Sequence, residues 1–175
     1  IMAIGMMLVI STGNIDVSVG AQLAVISMVL GALVKGGWIT DVISAVAASI
    51  AMGLILGLIN GFLVAKIKLP AIIVTLGTLN IMRGTLLLLL GSSWISGLSG
   101  WFTAIARTMP FNLGFKVTAY VWLLVYIIAY FIMYHTVMGR RILAVGADPE
   151  AAHRIGFKPS TSYIFAFSFM GIMSG

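Results

Sequence analysis

Apolar residues fill this chain in long stretches that polar ones punctuate at intervals. Ile1–Ile10 is apolar but short. Val17–Val34 follows, and then a polar break at Lys35–Asp41. Val42–Ala65 is a second long stretch, closed by Lys66 and Lys68. Leu69–Leu90 carries a charge only at Arg83. Gly91–Val117 is mixed and holds Trp94, Trp101, Phe102 and Pro110. Thr118–Tyr134 is again apolar, His135–Pro159 is polar, and a last apolar stretch opens at Tyr163. A helix needs roughly 20 apolar residues to cross the hydrocarbon of a bilayer. The pattern therefore predicts an all-α polytopic membrane protein with about five spans or partial spans, one of them broken near Asp16.

Composition supports the same solvent. The chain is 61% hydrophobic and 8% charged, whereas a soluble domain devotes about a quarter of its residues to charge. With no cysteine, disulfides, thiolate metal sites and thiol catalysis are excluded. A net charge of +6 would suggest nucleic acid in a soluble protein. Here the basic residues sit between apolar stretches, which points to a lipid bilayer and to no nucleic-acid partner. Lys66, Lys68, Arg140, Arg141, Arg154 and Lys158 fall on one side of the alternating spans, and Lys35, Arg107 and Lys116 on the other. The excess assigns residues 135–159 and the turn at 66–68 to the cytoplasm, and 91–117 to the outside. The chain opens and closes inside apolar stretches, so a fragment of a single transmembrane domain, truncated at both ends, is expected.

Within the spans, a few residues stand out. GNIDVSVG at 13–20 sets a carboxylate, Asp16, between apolar stretches with glycines on both sides. Asp16 or Ser18 can cap the unpaired amides of a following helix, while Gly13 and Gly20 permit a break; the alternative is direct hydrogen bonding to a polyol in transit. Broken backbone at membrane depth must be satisfied by protein or line a watery cavity, and broken helices build transporter sites. Gly53, Gly57 and Gly61 recur every fourth residue, with Ala65 continuing the row. That face is expected to pack on protein rather than lipid, as a moving interface or as ordinary tight packing. Arg83, costly at mid-membrane, is expected to line a polar path, pair with Asp16 or snorkel outward. Asn60 and Asn80 are expected to form interhelical hydrogen bonds. No phosphate-binding loop of the G-x-x-x-x-G-K-[ST] type occurs. His135 and His153 have no partners at metal-ligand spacing, so no metal site and no catalytic set is expected.

The polar stretch HTVMGRRILAVGADPEAAHRIGFKP is built differently. Asp148 suits an N-cap, Pro149 the first helical position and Glu150 the positive end of the dipole. Gly156 suits the stop. A helix of about two turns is predicted, with basic residues before and after it, and with Ile155 and Phe157 placed to dock a partner.

Together, GNIDVSVG, NGFLVAKIKLPAIIVTLGTLNIMRG and TVMGRRILAVGADPEAAHRIGF resemble the permease subunits of bacterial ribose-type sugar importers of the ATP-binding-cassette class. The Asn14 variant, LPAIIVTLGTL and the tryptophan of GSSWISGL look closest to the autoinducer-2 (Lsr-type) or rhamnose branch. The resemblance implies a type II-like importer transmembrane domain that translocates a small carbohydrate or carbohydrate-like signal across the inner membrane. It implies a second permease subunit, a periplasmic or lipid-anchored binding protein docking near Ser92–Lys116, and a separate cytoplasmic ATPase that carries ATP and magnesium. This chain itself would bind no cofactor and would not be an enzyme. Gly139, Arg140, Ala144, Gly146, Asp148, Ala152, Arg154 and Gly156 match the family's cytoplasmic element and are implied to couple to the ATPase. Asp16, Ser18, Asn60, Asn80 and Arg83 are the candidates for the substrate path. A stand-alone proton-coupled carrier is the rival reading, and it would rely on Asp16 with Arg83.

Overall fold

The computed structural model describes residues 1–90, 97, 100–105 and 116–175, and among these it contains helices and turns but no strand. In chain order the helices are α1 (Met2–Ile10), α2 (Val19–Lys35), α3 (Val42–Lys66), α4 (Ala71–Leu90), α5 (Gly100–Ile105), α6 (Val117–His135), α7 (Val137–Ala147), α8 (Pro149–Arg154) and α9 (Pro159–Ser174). By length and composition α3, α4 and α6 can cross a membrane. The apolar helices α2 and α9 are shorter, at 17 and 16 residues. The expected spans hold to within two residues for α2, α3, α4 and α6, whereas α9 starts at Pro159, four residues earlier than its apolar run. Trp94, Arg107 and Pro110 lie outside the described residues, as does most of the 91–117 segment.

The expected break is present, and its chemistry is local. Helix α1 ends where the amide of Gly13 bonds the Ile10 carbonyl (2.9 Å) and that of Asn14 bonds the Val9 carbonyl (3.3 Å). This paired closure needs a left-handed residue, and Gly13 supplies it at φ +78°. The second glycine of the motif does something else. Gly20 lies inside the first turn of α2, with open space where a Cβ would stand, so it takes no part in the break.

Packing centres on α9. Leu8, Phe167, Met170 and Ile142 are completely buried in one core that draws on α1, α9 and α7 and extends to Val64, Val74 and Met133. The most extensive helix contact is α3 on α9, and glycine makes it. A Cβ on Gly53 would collide with the carbonyl of Gly171, one on Gly57 with that of Phe167, and one on Gly61 would stand 3.0 Å from the Cα of Ile164. The Gly53–Gly61 stripe is thus covered by this chain's own α9, in line with the expectation that it packs on protein rather than lipid. A small satellite core of Val34, Ile39 and Ala45, joined by Trp101 and Phe102 of α5, closes the far end of α2 and α3.

Candidate functional site

Asp16 is 1% exposed and organises a buried polar cluster. Its Oδ1 accepts the Ser18 amide (2.8 Å) and the Ser18 hydroxyl (2.6 Å), a turn that aspartate forms with its own downstream backbone. Its Oδ2 accepts Nε2 of Gln22 (3.1 Å). Ser18 is the hub, since its Oγ also accepts from Gln22 Nε2 and from Asn60 Nδ2, both at 2.9 Å. Gln22 Oε1 then accepts the Ser174 hydroxyl (3.1 Å). The cluster therefore ties the α1–α2 connection to α2, α3 and α9. One acceptor in it, Oδ1 of Asn60, is buried with no hydrogen-bond partner.

Of the path candidates, Asp16, Ser18 and Asn60 converge here; Asn80 and Arg83 do not. Asn60 bonds across helices as expected. Asn80 instead is exposed and donates to the Leu76 carbonyl of its own helix (3.0 Å). Arg83 is exposed on α4, and the Asp16 carboxylate is occupied by neutral donors, so the Asp16–Arg83 pair is not formed. Gln22 and Ser174 are members that the sequence reading passed over. Gln22 was detectable: it is the lone amide in α2 and stands one turn after Ser18.

The cytoplasm-assigned stretch holds two helices rather than one. Thr136 starts α7 by accepting the Gly139 amide (3.2 Å) while donating to the Ile132 carbonyl of α6 (2.6 Å). Met138, Ile142 and Val145 repeat at helical spacing, and the last two are fully buried. That period, interrupted by Arg140 and Arg141, is the signal the basic pair concealed. Helix α8 forms as predicted: Asp148 Oδ1 accepts the amides of Glu150 (2.8 Å) and Ala151 (3.0 Å), and Gly156 ends it at φ +90°.

The eight coupling candidates divide by what they touch. Gly139 packs against the last carbonyls of α6, and Gly146 packs so closely on the Ser11 carbonyl that neither admits a Cβ. The Ala144 carbonyl accepts the Asp148 amide (3.1 Å), and Ala152 is buried. Asp148 caps and Gly156 stops α8, as above. Only Arg140 and Arg154 point their chemistry outward, Arg154 making an exposed ion pair with Glu150 (3.9 Å) of the kind that contributes little. Phe157 lies beneath the Arg141 guanidinium, 5.7 Å from its ring centre, so it packs internally, and Ile155 alone is presented, at 69% exposure. His135 and His153 are exposed. Among the described residues no three side chains of metal-binding type converge.

Residues 1–175 match the family model described as branched-chain amino acid transport system / permease component. The chain belongs to this permease family. It is 38% identical over 176 residues to the Autoinducer 2 import system permease protein LsrC of Escherichia coli (strain K12 / DH10B), covering 99% of this chain and 50% of that protein. The protein of the same name from Salmonella paratyphi B is 34% identical over 174 residues, covering 99% of this chain and 49% of that one. The chain thus spans about half the length of the curated relatives it matches. No solved structure matches.

Proposed function

We propose that this chain is part of the transmembrane subunit of an ATP-driven importer for a small carbohydrate or carbohydrate-like signal of the autoinducer-2 class, in the bacterial inner membrane. The observation that carries the reading is similarity along 99% of the chain to permeases of autoinducer 2 import. The α7–α8 unit suits docking of a cytoplasmic ATPase: it is rigidly capped, its backbone is pressed against the α1–α2 connection, and Arg140, Arg154 and Ile155 face outward. ATP-driven closure of two ATPase subunits would push this unit and shift the spans. A second permease subunit would complete the path, and an extracytoplasmic binding protein would deliver the substrate. Asp16, Ser18 and the unpartnered acceptor of Asn60 offer hydroxyl-binding groups to a polyol once the α2–α3–α9 packing parts.

The test is co-purification of the full chain with its ATPase in mild detergent, with Arg140→Glu and Arg154→Glu combined. Co-elution lost on reversal supports the reading. A chain that elutes alone, or a reversed variant that still docks and transports, overturns it.

A further inference from the structure

Between the α3–α4 turn and the α8–α9 junction lies a cavity of about 640 Å³ that none of the roles above uses. Its polar lining comes from four separate places: Asn14 after α1, Lys66 and Lys68 at the turn, His153 on α8, and Ser160 and Tyr163 in the first turns of α9. No carboxylate lines it. Helix α9 begins without a side-chain cap, which leaves the positive end of its dipole at the same wall. Lys68 holds the left-handed conformation, φ +60°. That is uncommon for a residue other than glycine. Two lysines, a helix N-terminus and neutral polar side chains with no opposing acid make an anion site.

Its surroundings decide which anion. The cavity opens where two spans meet their turn; Leu69 and Pro70 line it, and Ile67 beside them in the turn and Ile72 and Ile73 in the first turn of α4 are exposed, the last at 63%. A hydrophilic anion or a protein carboxylate has no use for that apolar rim, whereas an amphiphile needs both halves. Arg154 and Ile155, the outward groups of α8, are not in the lining, although His153 of the same helix is, so the cavity adjoins the docking face without including those two groups. We infer that the cavity holds the headgroup phosphate of an anionic phospholipid from the leaflet next to residues 66–68, with its acyl chains along Ile72 and Ile73. Basic pockets between spans on the cytoplasmic side bind anionic headgroups in this way. The inference rests on the membrane placement of α3 and α4 and is independent of the ATP-driven reading.

Native mass spectrometry of the detergent-purified full chain, with added phosphatidylglycerol or phosphatidylcholine, tests it. Combining Lys66→Gln with Lys68→Asn removes both charges while asparagine tolerates the left-handed backbone. Phosphatidylglycerol retention should fall by about tenfold or more, at about one surface lysine's worth of attraction each. Phosphatidylcholine retention should not change, and Lys35→Gln, at the far end of α2, should behave as wild type. Restoring charge with Lys66→Arg should recover part of the loss. Equal retention in the double variant overturns the proposal. So does displacement of the lipid by inorganic phosphate at equal concentration, which would mean a free-phosphate site. Loss of ATPase co-elution with lipid retention intact would instead make the cavity a protein-docking site.

Discussion

Removing the Ser18 hydroxyl should cost more than its size suggests. Ser18→Ala deletes three bonds at once: to Asp16 Oδ1 (2.6 Å), from Gln22 Nε2 (2.9 Å) and from Asn60 Nδ2 (2.9 Å). Gln22 keeps Asp16 Oδ2 and Ser174, so its loss is small. Asp16 keeps two of three donors but gives up a charge-assisted bond, worth about 1.5–3 kcal/mol. Asn60 fares worst. Its Oδ1 has no partner already, so the variant leaves a whole amide buried and unpaired, at about 1–3 kcal/mol. Interhelical hydrogen bonds in lipid average nearer 0.6 kcal/mol, which pulls the Asn60 term towards its lower bound. The carboxylate term dominates, and a total of about 2–4 kcal/mol is expected. Unfolding of the full chain by dodecyl sulfate titration in mixed micelles reads it directly. Because Asn60→Leu removes one of the same bonds, the double variant should fall short of additivity by about 1 kcal/mol. A Ser18→Ala loss under about 0.5 kcal/mol, the ordinary scatter of surface substitutions, would show that the cluster is open to water and refute the reasoning.

Further outcomes follow from the contacts. Gly57→Ala drives a methyl into the Phe167 carbonyl and should destabilise by about 1–3 kcal/mol in the same titration. Gly77→Ala, which meets nothing within 4 Å, should be neutral or gain up to about 1 kcal/mol of helix propensity. Asp148→Ala removes the cap on α8 and should cost about 1 kcal/mol locally, seen as faster amide exchange at residues 149–155 with the spans unaffected. Asp41 caps α3 through the Ser44 amide (2.8 Å) and hydroxyl (2.9 Å), and the amide bond is the main cause holding its pKa below the ordinary aspartate value. Protonation therefore favours the unfolded turn: the cap is complete above the unfolded pKa and is lost as pH falls through the lower folded one. Exchange at residues 42–45, corrected for intrinsic rate, should rise in that acid window and not above it, and Asp41→Asn should flatten the profile.

What the sequence made legible was whatever is encoded by period or by a single local rule. Long apolar runs returned four helices nearly to the residue, because length and composition alone decide whether a segment can live in lipid. Asp148, Pro149 and Gly156 returned α8, because capping is settled within a few residues. What stayed hidden depended on distant neighbours. The role of Gly20 was misjudged because only Gly13 occupies the left-handed position, and nothing in the octapeptide distinguishes them. Asn80 looks like Asn60 in sequence; that one crosses to another helix and the other bonds back on itself follows from which face of each helix is covered. Gln22 and Ser174 meet across 152 residues, a pairing no local pattern carries. Helix α7 was masked because two arginines within its amphipathic period read as a loop charge run.

The same distant contacts bear on how the proposed importer would work. The family-like element GRRILAVG contains two glycines, and both are places where α7 touches other backbone: Gly139 at the end of α6, Gly146 at Ser11. Ser11 opens the connection that closes α1 through Gly13 and reaches Asp16 five residues on. In the proposed importer a push on α8 would pass through the Asp148 amide to α7 and from Gly146 to the Ser11 carbonyl, backbone to backbone, five residues before Asp16. Gly146→Ala tests this transmission. Its methyl would force the 11–13 segment away from α7, and because Gly146 packs inward on Ser11 whereas Arg140 and Arg154 face outward, ATPase co-elution should persist. ATP-dependent uptake should drop at least tenfold while binding of the ATPase stays within about twofold, a split that a docking defect cannot produce. Uptake and docking falling together would place Gly146 in the docking surface and break the proposed link between α7 and Asp16.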